Sequence, residues 1–164
     1  MTTELSLRPT RTEDLDFVVA AERDPEVHPN ITMKGREGHI GVIGSDDEDH
    51  LILDEGGEPV GYAVLRGLSR PHRSIEIQTI VITKRGRGLG RRALGLILDE
   101  LFEERGAHRV WLDAVGANAR ALRAYESVGF VREGEMREAW LTADGSFDSI
   151  VFLSILDREW AGRE

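Results

Sequence analysis

The sequence contains no cysteine, so disulfide bonds, thiolate metal ligands and a cysteine nucleophile are all excluded. Its longest apolar runs extend over four to five residues, which is too short for a helix that crosses a bilayer. Residues Met1 to Glu4 lack the basic start and the apolar stretch of a secretory signal. These absences lead us to expect a cytoplasmic protein without a membrane partner.

Basic side chains are in the minority, because 21 Lys and Arg stand against 30 Asp and Glu, which gives a net charge of −9 at pH 7. A general nucleic-acid-binding protein normally carries a basic face, so we expect no nucleic-acid partner. The length of 164 residues, with 40% apolar side chains, suits one folded domain, and no linker or repeat divides the chain. We therefore predict a single domain over residues 1–164.

Apolar alternation and helical spacing predict the element order β-α-(α)-β-β-β-α-β-α-β-β. Strands are expected at residues 5–8, 50–53, 59–65, 74–83, 108–114, 130–141 and 147–156, and helices at 12–21, 89–105 and 119–127. Residues 28–49 show no clean period, and we expect a mobile region with one short helix there. Hairpins around a central β-α-β-α unit indicate an α/β (α+β) fold, with a mixed, mostly antiparallel sheet of about six to seven strands and helices on both faces.

A glycine-rich turn lies between the strongest predicted strand and the strongest predicted helix. Gly86, Gly88 and Gly90 allow the backbone to approach a ligand closely, and the unpaired amides that begin the helix attract anions. Basic residues concentrate here in an otherwise acidic chain: Lys84, Arg85, Arg87, Arg91 and Arg92. We call residues 84–92 the cradle and predict that it binds a phosphate group. The alternative is a surface turn with solvated arginines.

The cradle also matches the dinucleotide fingerprint G-x-G-x-x-A at Gly88, Gly90 and Ala93, with Asp113 at the end of the next strand. A nucleotide-binding oxidoreductase is therefore one alternative. The position of the unit argues against it, because hairpins precede the unit and the chain after Asp113 is too short for further βαβ units.

Residues 81–94 resemble the acyl-CoA-binding motif of the GNAT superfamily of N-acetyltransferases, which is Gln/Arg-x-x-Gly-x-Gly/Ala. Its positions here are Arg85, Gly88 and Gly90. Residues 118–130 resemble a second segment of the family, N-x-x-A-x-x-x-Y-x-x-x-G-F, at the expected distance. The end of the chain, residues 137–160, is similar to ribosomal-protein N-terminal and spermidine acetyltransferases.

This resemblance implies a GNAT-like fold in which the two central parallel strands splay apart. It implies acetyl-CoA as co-substrate without a metal, and direct attack of a primary amine on the thioester, for which no cysteine is needed. Backbone amides would hold the pyrophosphate at Arg87, Gly88, Leu89, Gly90 and Arg91. Backbone groups would pair with the pantetheine at Ile80, Val81 and Ile82. The acceptor, a small-molecule amine or a protein N-terminal amine, and the length of the acyl group stay open.

The resemblance also assigns the proton transfers. Tyr125 matches the family's general acid, which protonates the departing thiolate, and Glu76 matches the general base of some members. Asn118 matches a residue near the cofactor. Each has a structural alternative: Tyr125 as a core aromatic, Glu76 as an edge or surface carboxylate, and Asn118 as a helix cap.

The five histidines share no metal spacing, so we expect no metal site and place all of them on the surface, with His28 or His72 as an alternative base. The acidic run from Asp46 to Asp49 is either a solvated loop or an attraction for a cationic amine at the mouth of the site. The final strand would allow pairing across a homodimer. The remaining alternative for function is a sensor that binds acyl-CoA without catalysis.

Overall fold

The computed structural model describes residues 3–163, which contain a seven-stranded sheet. The strands are β1 (Leu5–Pro9), β2 (Glu48–Glu55), β3 (Glu58–Arg66), β4 (Ser74–Ile82), β5 (Arg109–Val115), β6 (Val131–Leu141) and β7 (Phe147–Leu156). The helices are α1 (Leu15–Glu22), α2 (Gly35–Ile43), α3 (Leu89–Asp99, continued by a π-helical turn over Glu100–Glu104), α4 (Ala119–Ser127) and α5 (Asp157–Ala161). Short 3-10 turns lie at Thr12–Asp14 and His28–Asn30.

The strand order is β1-β2-β3-β4-β5-β7-β6. β4 and β5 run parallel, and the other neighbouring strands run antiparallel. This arrangement confirms the predicted mixed, mostly antiparallel sheet. Within residues 3–163, no helix is long and apolar enough to cross a membrane.

Helices cover both faces of the sheet, as predicted. On one face α3 and α4 bury Ile97 and Leu122 against the central strands. On the other face α1 and α2 bury Val18 and Val42 against Ile52 of β2. Because successive side chains of a strand point to opposite faces, the apolar runs of β2, β3 and β4 supply both cores.

Two irregularities of β4 open the sheet at its centre. Its pairing with β5 ends at Glu76 and Trp111, so the two parallel strands diverge beyond that point. Its register with β3 shifts between Val64 and Leu65, which leaves Gln78 as an extra, bulged residue. The splay that the resemblance implies is therefore confirmed, and it creates the space in which a ligand can lie.

The region expected to be mobile is largely regular. The nine-residue helix α2 begins at Gly35, and β2 begins at Glu48, within the acidic run. The short helix expected in this region is therefore present. Its bounds could not be assigned from periodicity, because the helix is rich in glycine and its first amides are bound by Glu22, which lies in another helix. By contrast, the predicted hairpin with Gly56 and Gly57 is confirmed, and both glycines have positive φ, as a two-residue turn requires.

The final strand does not lie at an edge. β7 pairs with β5 on one side and with β6 on the other, so the expected pairing of the last strand across a homodimer is wrong. Hydrophobicity explains the order, since Val151, Leu153 and Ile155 of β7 are buried whereas the charged strand β6 is exposed along nearly its whole length. The strand at this edge of the sheet is β6.

Candidate active site

A cleft of about 630 Å³ lies between the diverging ends of β4 and β5. It is lined by the cradle, by α4, by Trp140 and Ile150 of the last hairpin, and by residues 23–34 between α1 and α2, which we call the acceptor segment. Most of the sequence-predicted site residues line it: Glu76, Ile80, Val81, Ile82, Arg85, Gly88, Leu89, Gly90, Arg91, Asn118 and Tyr125.

The cradle has a backbone geometry suited to an anion. Gly86, Arg87 and Gly88 have left-handed φ values of +81°, +57° and +66°, which turn the chain sharply from β4 into α3. The N–H of Arg92 donates to the Gly88 carbonyl at 3.1 Å, and the N–H of Leu89 makes a long hydrogen bond of 3.5 Å to the Gly86 carbonyl. Within residues 3–163, the N–H groups of Gly88, Gly90 and Arg91 make no backbone hydrogen bond and can donate to a ligand. A Cβ added at Gly88 or Gly90 would meet no atom within 4 Å, so the surface has room for a pyrophosphate.

Several basic side chains of the cradle are already engaged with carboxylates. Nζ of Lys84 and Nη2 of Arg87 lie 3.6 and 3.0 Å from Oε2 of Glu55, which is buried at the end of β2. Nη1 of Arg85 lies 2.7 Å from Oε2 of Glu26 in the acceptor segment. The Arg87 side chain is thus turned toward Glu55 and does not line the cleft, whereas Arg85 joins the cradle to the acceptor segment.

β4 offers an open backbone edge beside the cradle. Residues 80–82 pair with β3 on one side, while β5 has already diverged on the other. The bulged Gln78 adds a buried Oε1 that has no hydrogen-bond partner within residues 3–163. Because a buried carbonyl oxygen without a partner is costly, this atom is suited to accept a hydrogen bond from a ligand in the cleft.

Tyr125 reaches the cleft from α4. That helix is capped by Asn118, whose Oδ1 accepts the Ala121 N–H at 3.3 Å, so the predicted cap is confirmed. Tyr125 is 9% exposed, and burial, with a smaller contribution from the charge of Asp113, raises its pKa to about 12. The hydroxyl therefore stays protonated near pH 7 and is a hydrogen-bond donor toward the cleft.

Charged side chains meet where β4 and β5 separate. Nε and Nη2 of Arg66 donate to Glu76 at 2.9 and 3.3 Å, and the Glu76 side chain is only 13% exposed. Glu76 is therefore neither an edge nor a surface carboxylate, and it forms an ion pair with Arg66. Asp113 is exposed to the cleft, where the surrounding protein and the charge of Glu76 raise its pKa against the opposing charge of Arg66. The direction of this shift makes Asp113 a better proton acceptor than an ordinary aspartate.

The expectation that all five histidines lie on the surface is wrong for two of them. His39 and His50 are 1% and 4% exposed and hydrogen-bond to each other at 2.9 Å. The expectation failed for His39 because the bounds of the short helix in residues 28–49 were not assigned, so its buried face was not identified. His28 and His72 are exposed, and neither lines the cleft.

The acidic run does not form the mouth of the cleft. Asp47 lies 3.2 Å from Arg70, and Asp49 lies 2.5 Å from Arg105, so these carboxylates stabilise the turn after β3 and the end of α3. No residue of the run lines the cleft, so the structure gives no support to the alternative that the run attracts the acceptor from the mouth of the site. The carboxylates that line the cleft are Glu26, Glu76 and Asp113.

The sequence reasoning did not place Arg66, Asp113 or Trp140 in this cleft. Asp113 carried a signal, because it lies near the carboxyl end of β5, beside that of the parallel β4, where ligands bind in open α/β sheets. Trp140 carried none, since its Nε1–H donates at 3.2 Å to the carbonyl of Pro29, which is far away in the sequence.

The sequence of this chain is similar to those of known acetyltransferases. The model of the acetyltransferase (GNAT) family matches residues 11–130. The chain is 24% identical to spermidine N(1)-acetyltransferase of Escherichia coli K12 over 164 residues, covering 95% of this chain and 88% of that protein. It is 42% identical over 64 residues to the ribosomal protein bS18 alanine N-acetyltransferase of the same strain, covering 39% of this chain and 43% of that protein.

The fold is also shared with a solved structure. Spermidine N-acetyltransferase from Vibrio cholerae, in complex with CoA and spermine, superposes with a TM-score of 0.86. The two chains are 22% identical, and the match covers 96% of this chain and 98% of that one.

Proposed function

The chain belongs to the acetyltransferase (GNAT) family, and from that premise we propose which parts of its cleft carry each step of the reaction. It is an N-acetyltransferase, which moves an acetyl group from acetyl-CoA to an amine. The observation that carries our assignment is one cleft that is lined by the cradle, the open edge of β4, Tyr125 and the carboxylates of Glu76 and Asp113. The continuous sheet further supports the proposal that residues 1–164 form one N-acyltransferase domain.

The donor would lie along the start of α3 and the edge of β4. Amides of residues 87–91 hold the pyrophosphate, assisted by the partial positive charge at the helix N-terminus. Arg85 and Arg91 line this part of the cleft, and a bound phosphate would compete with Glu26 for Arg85. Residues 80–82 pair with the pantetheine. Acetyl-CoA, when bound, supplies a thioester that is activated toward attack by an amine.

Two proton movements accompany the transfer. A primary amine with a pKa of about 10 is mostly protonated at pH 7, so the ammonium must lose a proton as the C–N bond forms. The sulfur gains a proton after the C–S bond breaks. One group near the acceptor must therefore take a proton, and one group near the sulfur must stabilise negative charge.

Asp113 is our choice for the proton acceptor, with Glu76 as the neighbour that makes it more basic. The support is the raised pKa of Asp113, its exposure to the cleft, and the ion pair of Glu76 with Arg66. Glu76 itself, which the resemblance suggests, is the alternative base. The two choices predict different pH profiles of kcat/KM.

Tyr125 would act at the sulfur. Complete transfer of its proton to a thiolate is unfavourable, because its pKa of about 12 exceeds the value of about 8.5 for a free thiol. A hydrogen bond to the charge that develops on sulfur is favourable, however, and is strengthened by burial. Tyr125 therefore serves the leaving group and not the amine.

The acceptor would enter between the acceptor segment and Trp140. Asp113 has no hydrogen-bond or ion-pair partner among the described residues, so it provides an uncompensated negative charge at this end of the cleft. We therefore propose a cationic amine as acceptor. The named relatives act on spermidine and on a ribosomal protein alanine, and both kinds of amine belong in the test.

The test is a CoA-release assay with acetyl-CoA and a panel of amines: spermidine, a peptide that begins with alanine, an aminoglycoside and free amino acids. We expect release that depends on the amine, with neither nicotinamide nor metal required. The Gly88→Val variant should bind acetyl-CoA roughly tenfold or more weakly in calorimetry, because a β-branched residue is strained at φ +66° and its side chain fills the cradle.

Gly95→Ala is the matched control, since Gly95 lies inside α3 with open space around its Cα and should tolerate a methyl group. A folded Gly88→Val protein with unchanged affinity would show that the cradle does not hold the pyrophosphate. Failure of every amine to release CoA would overturn the assignment of the acceptor end.

A further inference from the structure

A buried carboxylate joins the two ends of the acceptor segment. Glu22 is the last residue of α1 and is 1% exposed. Its Oε2 accepts the N–H of Lys34 at 3.0 Å, and its Oε1 accepts the N–H of Gly35 at 2.9 Å. The segment therefore starts and finishes at one side chain, as in a compact loop whose ends are held close together.

The same carboxylate is fixed against the sheet by a chain of side chains. Nε2 of His39 donates to Glu22 at 3.0 Å, and Nδ1 of His39 hydrogen-bonds to Nε2 of His50 at 2.9 Å. Nδ1 of His50 then meets Oγ1 of Thr10 at 2.7 Å, and Tyr62 stacks on the His50 ring. Thus α2, β2 and the end of β1 all contribute to the position of Glu22.

The environment keeps Glu22 charged. Burial alone would raise its pKa, but the hydrogen bonds from Lys34, His39 and Gly35 together hold the pKa below its ordinary value. Burial lowers the pKa of His50 to about 4, so that ring is neutral near pH 7. A buried carboxylate that accepts three hydrogen bonds is costly to remove, because its three donors would then stay buried without an acceptor.

The remaining polar tethers of the acceptor segment are solvent-accessible. They are the ion pair of Glu26 with Arg85 and the hydrogen bond from Trp140 to Pro29. Between them, the segment turns several side chains into the cleft: Glu26, Val27, Asn30, Ile31 and Thr32. Val27 and Ile31 also pack against the apolar cluster beneath α1 and α2, so the wall is held by this packing in its middle and by Glu22 at its two ends.

We propose that Glu22 is a positioning residue for acceptor binding: its carboxylate closes the acceptor segment and thereby fixes the wall of the cleft against which the amine is placed. This rests on the proposed function, because it takes the acceptor segment as the side from which the amine is bound. Glu22 touches neither substrate, and it acts through the backbone of Lys34 and Gly35. Its loss should affect the acceptor and spare the donor, whose binding groups lie on β4 and α3.

The lead variant is Glu22→Gln. The amide keeps the size of the side chain but must present its NH₂ group to at least one of the donors that the carboxylate accepts. We expect amide exchange at Lys34 and Gly35 to accelerate at least tenfold. The KM of the acceptor should rise roughly tenfold, with kcat within twofold and the affinity for acetyl-CoA unchanged.

Two controls separate positioning from loss of stability. Glu37→Gln removes the same charge from an exposed site in the first turn of α2 and should change none of these quantities. His39→Phe removes the bonds to Glu22 and His50 but leaves the carboxylate on Lys34 and Gly35. It should lower the melting temperature at least as much as Glu22→Gln, while the KM of the acceptor rises clearly less than in that variant.

An equal rise in KM for Glu22→Gln and His39→Phe would overturn the proposal, since the effect would then follow stability. Faster exchange at Lys34 and Gly35 without any change in KM would also overturn it and leave the proposed function intact. Absence of turnover in the wild-type enzyme would remove the proposed function itself. If the Glu22→Gln chain does not fold, Glu22→Asp, which keeps the charge with a shorter reach, is measured by the same three readouts.

Discussion

The two halves of the cleft are constructed in different ways. The donor half, as we propose it, comes from one continuous stretch, residues 80–91, and its binding groups are backbone atoms at the edge of β4 and the start of α3. The acceptor half is assembled from places far apart in the chain, and its groups are side chains: Arg66 on β3, Asp113 on β5, Trp140 on β6 and the residues of the acceptor segment.

This difference separates what a substitution can change in each half. A backbone amide survives most side-chain substitutions, so the donor half depends chiefly on glycines with positive φ, such as Gly88. The acceptor half depends on individual ion pairs and hydrogen bonds, such as Arg66 with Glu76 and Trp140 with Pro29. A few substitutions there can change the acceptor while the binding of acetyl-CoA stays the same.

The largest effect is expected at Tyr125, where the two halves meet. Tyr125→Phe should lower kcat roughly 100-fold, because the hydroxyl serves a charge that exists only along the reaction path. The affinity for acetyl-CoA, measured by calorimetry, should stay within twofold, since the donor half is held by backbone groups. Wild-type kcat in the variant would mean that Tyr125 only packs in the core.

Tyr62→Phe provides the matched control for that substitution. The Tyr62 hydroxyl is buried without a hydrogen-bond partner among the described residues, in the cluster beneath α1 and α2. Removing it relieves the cost of a buried, unsatisfied group, so the melting temperature should stay the same or rise. Its kcat should equal that of the wild type.

The next largest effect is expected in the pH dependence of kcat/KM, which tests the acceptor half alone. Asp113 has a raised pKa, and a base must be deprotonated to act, so kcat/KM should fall as the pH falls through that pKa. Asp113→Asn should lower kcat/KM and remove this acidic limb. Glu76→Gln should keep the limb and shift it to lower pH, because the charge of Glu76 is one cause of the raised pKa of Asp113.

The opposite pattern would identify Glu76 as the base. In that case Glu76→Gln removes the limb, whereas Asp113→Asn retains it. Measurements of kcat/KM between pH 5 and 8, with one acceptor and saturating acetyl-CoA, distinguish the two patterns. Binding of acetyl-CoA should be unaffected by either substitution, because neither carboxylate belongs to the donor half.

The contrast between the halves also explains how much the sequence could predict. The cradle was found because its strand, glycines and helix are adjacent in the chain, and each has a local signal. The mixed, mostly antiparallel sheet followed from the same local patterns and the splay from the resemblance, whereas the position of β7 between β5 and β6 did not. Asn118 was predicted as a cap because a cap bonds only to its own helix.

The acceptor half left few such signals, because its contacts join residues that are distant in the sequence. Glu22 bonds to Lys34 and Gly35, and no spacing rule connects the end of one helix with the start of the next at that distance. The burial of His39 depends on a helix that was expected without bounds, and the burial of His50 depends on that helix packing against β2. The G-x-G-x-x-A match led toward a dinucleotide because a short motif describes a phosphate site without the fold that surrounds it.

The smallest effect is expected at the acidic run, which looked like an attraction for the acceptor and lies outside the cleft. Asp47 and Asp49 are paired with Arg70 and Arg105, so each pair contributes little net field at the acceptor end. Asp49→Asn should therefore leave kcat/KM for a cationic amine within twofold of the wild type at every salt concentration. The attraction of a cationic amine by the net negative charge of the whole protein should still weaken with added salt, because the Debye length shrinks from about 30 Å at 0.01 M to about 8 Å at 0.15 M. A salt dependence that flattens in Asp49→Asn, but not in a variant of an exposed acidic residue such as Glu13→Gln, would show that the run attracts the acceptor after all.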